Sequence, residues 1–155
     1  MPLSRDELLE LLLNYWKLES TAAELFASWS DLAVEPDVKE KLIEWSKIEA
    51  SQADAIGKRL LALGGSFGPS SLEPAINTYL EQVGRFQTSA ERLRFNYDVM
   101  SVLERPVFLS EALDGADPET LKLFEGILFN EDRILGWCDQ KASELEALQS
   151  GSAQE

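Results

Sequence analysis

Apolar residues recur along the first part of the chain at Leu8, Leu12, Tyr15, Ala22, Phe26 and Trp29, in steps of three, four and seven. Those steps hold one face of a helix, because side chains three or four positions apart stack on the same side of successive turns. Val38, Leu42, Trp45, Ile56, Leu60 and Leu63 form a second stripe of this kind, and Leu93, Tyr97, Met100 and Leu103 a third. Leu121, Phe124, Leu128, Leu135, Cys138, Ala142 and Leu145 form the fourth. No segment alternates apolar and polar residues as a half-buried strand would. The pattern predicts an all-α protein.

Punctuation sets the boundaries. Ser4-Arg5-Asp6-Glu7 and Thr88-Ser89-Ala90-Glu91 are capping boxes, each with a hydroxyl for the orphan amides and a glutamate three residues on. Pro36 suits a first helical turn, and Asp117-Pro118-Glu119 sets an N-cap before another proline. Gly64-Gly65 stops the second helix, since glycine takes the left-handed cap conformation without steric penalty. Ser66 to Pro74 is a Gly/Ser/Pro-rich loop, and a shorter helix is predicted over Ala75 to Val83. Its glycines do not make a phosphate cradle, as no Lys-Ser/Thr follows and no strand precedes. Pro106 is expected to kink or interrupt the third long helix. Residues 1–148 therefore read as a single helical-bundle domain, with 149–155 a flexible C-terminal tail. The longer connection between the second and third long helices makes it a four-helix bundle with one crossover containing a short helix.

Composition narrows the chemistry. The chain has 155 residues, 45% hydrophobic and 27% charged, a globular balance with enough length for a core. Its longest apolar run is Leu60 to Leu63, far short of the roughly 20 residues that cross a membrane. The leucine-rich start carries Asp6, Glu7 and Glu10, unlike a secretory signal, so a cytoplasmic location is expected. A net charge of −14 repels phosphate backbones and anionic lipid, which argues against nucleic acid and membrane as partners. Zero histidines exclude His-based acid–base catalysis, Ser-His-Asp and Cys-His arrangements and every histidine-containing metal site. Cys138 is the only cysteine, so there is no disulfide framework. On its apolar stripe it reads as a buried, inert thiol.

What remains is in the polar residues that interrupt the stripes. Glu19 falls between Tyr15 and Ala22, Glu49 and Gln52 between Trp45 and Ile56, and Glu131 between Leu128 and Leu135. Each interrupts its stripe near mid-helix. A lone glutamate at a stripe's edge commonly reaches solvent or a basic partner, and Arg94, Arg133, Lys47 or the Tyr97 hydroxyl are candidates for that. Three at corresponding heights point to a shared polar centre, because an ionised carboxylate in apolar surroundings needs a partner or a proton.

In these segments the chain resembles the ferritin-like superfamily of four-helix di-metal carboxylate proteins, such as rubrerythrin and bacterioferritin. That superfamily presents one Glu from each of two helices and a Glu-x-x-His from each of the other two. Leu18 to Glu24 resembles the first-helix segment, Ile48-Glu49-Ala50-Ser51-Gln52 the second-helix motif, and Asn130-Glu131-Asp132-Arg133-Ile134 the fourth-helix motif. The resemblance covers Leu8 to Leu145 and implies metal ligands at Glu19, Glu49, Gln52 and Glu131. On the third helix it implies Asp98, with Glu104 the other choice. Gln52 and Ile134 stand where histidines are expected, so the implied site is degenerate and no cofactor is expected.

The sequence thus leads to a bundle that has lost di-iron chemistry and binds a partner protein or an apolar small ligand. The competing expectations are an oxidase or oxygenase using iron or manganese on a histidine-free site, and a purely structural oligomer. Trp16, Trp29, Trp45 and Trp137, with Phe26, Phe86, Phe95, Phe108, Phe124 and Phe129, supply bulk for a core, a pocket or a homodimer interface.

Overall fold

The computed structural model describes residues 3–102 and 113–154, and every described element is a helix. These are α1 (Arg5–Leu32), α2 (Pro36–Ala62), α3 (Glu73–Val83), α4 (Ser89–Ser101) and α5 (Pro118–Gln154). Leu103, Glu104, Pro106 and Phe108 lie outside the described residues, so the expected kink and the Glu104 alternative do too.

Caps fix the starts where the sequence placed them. The Ser4 hydroxyl accepts from the Glu7 backbone N–H at 3.1 Å while the Glu7 carboxylate accepts from Ser4 N–H. Thr88 and Glu91 repeat the exchange at α4. Asp117 takes the Thr120 N–H on one carboxylate oxygen and the Thr120 hydroxyl on the other. Gly64 has φ +86°, the left-handed conformation that ends α2 without strain. The short helix opens at Glu73, with Pro74 in its first turn, ahead of the predicted Ala75. α5 continues to Gln154, so most of the predicted tail is helical.

Contacts along the seams fix the helix directions. Ser30 meets the Lys39 carbonyl, Ser46 the Ala23 carbonyl and Arg5 the Leu63 carbonyl, so α1 and α2 form an antiparallel hairpin. Arg94 reaches Asp139 and Glu146 while Asn96 reaches Cys138, which sets α4 antiparallel to α5. Asp37–Lys141 at one end of the α2–α5 seam and Arg59–Asp117 at the other make that pair antiparallel as well.

The core is in two parts. One cluster is built on Phe26, Trp29, Val38, Leu42, Trp45, Leu93, Ile134, Cys138 and Ala142. The second holds Leu12, Tyr15, Ile56, Leu60, Leu113, Phe124 and Ile127. Burying each large side chain contributes about 1.5–3 kcal/mol. Along α1 the clusters are separated at Glu19, along α2 at Glu49 and Gln52, and along α5 at Glu131. The interruptions of the sequence stripes are therefore one polar layer crossing the middle of the core.

Candidate functional site

Relative exposure is 2% for Glu19, 3% for Glu49 and 8% for both Gln52 and Glu131, so the layer is inside the protein. Glu19 is carried inward because Tyr15 and Phe26 on the same helix face are held in the two clusters. Glu49 and Gln52 are carried inward by Trp45 and Ile56 in the same way. Burying such groups is costly unless they are hydrogen-bonded, and here the bonds run both between helices and within α2.

Gln52 is the hub. Its Nε2 donates to Glu19 Oε2 at 3.0 Å and to Glu49 Oε2 at 3.5 Å. Its Oε1 accepts from Asn130 Nδ2 at 2.7 Å. This amide orientation follows from donor–acceptor matching. A flipped amide would turn its oxygen onto a carboxylate and its NH₂ onto the NH₂ of Asn130. The chain Asn130–Gln52–Glu19 ties α5 to α2 and α2 to α1.

Beside the hub is a cavity of about 60 Å³ lined by Glu19, Glu49 and Glu131, with Asn96, Met100 and Ile134 among its other walls. It has room for a few water-sized groups and is well below the ~150 Å³ of an apolar cavity that accepts benzene.

Asp98 does not belong to this site. It is exposed, whereas Ser89, Ala90, Arg92, Leu93 and Asn96 are the buried residues of α4. Asn96, with Met100 one turn on, is what α4 contributes to the cavity wall. Asn96 was legible as a stripe position, three after Leu93 and four before Met100, but it carries an amide where a carboxylate is sought. Asn130 had no signal of its own, since it lies beside the stripe and not on it. Ile134 is buried in the first cluster and offers no donor atom at the other expected histidine position.

The cations named as partners for the glutamates are engaged elsewhere or stand outside. Arg94 donates to Asp139, Ser143 and Glu146, and its hydrogen bonds to the Glu146 and Asp139 carboxylates raise its already high pKa. Tyr97 is under the same guanidinium, 5.5 Å from ring centroid to charge. Arg133 lies over the rings of Trp45 and Phe129, and Lys47 is exposed. Among the described residues, no three Asp, Glu or Cys side chains are grouped so as to hold a metal ion.

Next to the layer, the Tyr79 hydroxyl donates to Asn96 Oδ1 at 2.8 Å, and Asn96 Nδ2 faces Cys138 Sγ at 3.7 Å. Burial pushes the Cys138 thiol up to about 12, outweighing the Asn96 hydrogen bond that favours the thiolate. Burial raises the Tyr79 phenol too. This thiol is not a nucleophile at neutral pH.

No described helix is long and apolar enough to cross a membrane. Comparison of the chain with protein-family models, with curated proteins and with solved structures gave no match.

Proposed function

We propose that this chain is a ferritin-like four-helix bundle in which a carboxylate–amide layer stands in place of di-metal chemistry, and that it acts by binding a partner protein. One observation carries the reading. The Gln52 amide nitrogen donates to both Glu19 and Glu49, so an N–H supplies positive potential where a bridging cation would need oxygen or imidazole donors. The antiparallel relations of α1 with α2, α4 with α5 and α2 with α5 are those of a bundle whose long connection runs between its second and third long helices. A partner protein is preferred over an apolar small ligand because the cavity beside the layer, about 60 Å³ with three glutamates among its largely apolar walls, is too small for one. Phe129, 65% exposed on the outer face of α5, offers contact area of the kind interfaces favour.

A second reading is a hard cation held on oxygen by Glu19, Glu49, Glu131 and Gln52; the three carboxylates line one cavity but would have to draw together around the ion. It requires the Gln52 amide to turn over and give up its bond from Asn130. Elemental analysis of protein purified without chelator, followed by iron and manganese titration, tests both readings. The first expects no bound metal and no change in melting temperature. Two tightly held equivalents would overturn it and establish the second.

A further inference from the structure

We infer that the Asn130–Gln52–Glu19 chain and the carboxylates around it are a register lock, a device that selects one alignment of the α1–α2 hairpin against α5. The two apolar clusters flank the layer on each side, and burial of apolar surface is non-directional. A slide of one helical turn, about 5.4 Å, would exchange one set of leucines and aromatics for another of similar bulk. Arg59 bonds Asp117 and the buried Thr120 and so marks the same register at one end of the α2–α5 seam. The outermost pairs discriminate it weakly, since Asp37 and Glu119 are largely exposed.

The layer responds differently. The same slide would carry Glu131 and Asn130 away from the layer and against apolar neighbours, and strip Gln52 Oε1 of its donor. It would also open Glu19, 2% exposed, to a mismatched neighbour. A buried polar group tolerates one arrangement and penalises the rest, as a single buried asparagine does when it sets coiled-coil register. This role is independent of whether the bundle binds a partner or a cation.

The test replaces the layer with leucine at once, E19L/E49L/Q52L/E131L, and records an amide NMR spectrum with the molar mass in solution. The expected result is a folded protein, melting no lower than the parent, that shows two or more sets of amide peaks or a new oligomer. One sharp set of peaks at the parent's mass would overturn the inference. Failure to fold would overturn it equally, since the layer would then be needed for stability itself. A second variant, E19Q/E49Q/E131Q, keeps hydrogen-bonding capacity without charge and should retain one set of peaks; multiple sets there would also overturn it.

Discussion

Gln52 Nε2 and Glu19 Oε2 are 3.0 Å apart across the α1–α2 seam, an amide donating to a carboxylate that water barely reaches. Removing only the donor leaves the acceptor stranded. Gln52→Leu should therefore destabilise by about 1–3 kcal/mol, the cost of a buried polar group without its partner. The double change Glu19→Leu with Gln52→Leu removes both ends and should lie closer to the parent than the sum of the singles. Urea unfolding of the four proteins measures this coupling. Additive losses would show that the two residues do not support each other.

Gly126 and Gly136 are interior positions of α5, and a Cβ built at either meets no atom within 4 Å. Nothing in the fold requires glycine there. Gly126→Ala and Gly136→Ala should each stabilise by about 1 kcal/mol through helix propensity and a less flexible unfolded chain. Thermal melts of the single and double variants check it. An unchanged or lower melting temperature would mean that this face does more than cover the helix.

Asp117 caps α5, and its carboxyl is held below the usual carboxylate range, first by the Thr120 hydroxyl, then by the Thr120 amide and Arg59, with burial opposing. A depressed folded pKa contributes stability that is present above the unfolded value, near 3.8, and is lost as pH falls through the folded value. Asp117→Ala should cost about 1 kcal/mol at pH 7 as a lost N-cap. The gap between variant and parent should close as the pH falls below the usual carboxylate range. Denaturant midpoints from pH 7 down to pH 2 follow the two curves. Parallel curves throughout would contradict the assigned cause.

Cys138 is 1% exposed, and burial pushes its thiol up to about 12. At pH 8 it should react with an aromatic disulfide reagent only through opening of the fold, at least a hundredfold slower than the same chain in denaturant. Reaction at the unfolded rate would place the α4–α5 seam in rapid exchange with an open state.

Much of the fold was legible because it is written locally. Capping boxes at Ser4 and Thr88, the N-cap at Asp117 and the left-handed stop at Gly64 depend on neighbours within a few residues. Stripe periodicity identified the buried faces, and the same stripes exposed Glu19, Glu49, Gln52 and Glu131 as interruptions. Asp98 failed for a reason the sequence also contained. It lies two positions beyond Asn96 on a helix, too far around to share its face.

The sequence by itself determined that the chain is helical, where most helices start and stop, and that Glu19, Glu49, Gln52 and Glu131 are carried into the core, because each depends on spacing along one segment. The tertiary structure alone decided that those residues form one layer between two apolar clusters, that Gln52 donates to Glu19 while accepting from Asn130, and that Arg94 binds Asp139 and Glu146 and not a core glutamate. Those outcomes depend on register between helices far apart in the chain, and hydrogen bonds discriminate register over distances of a few ångströms that no intrahelical period encodes.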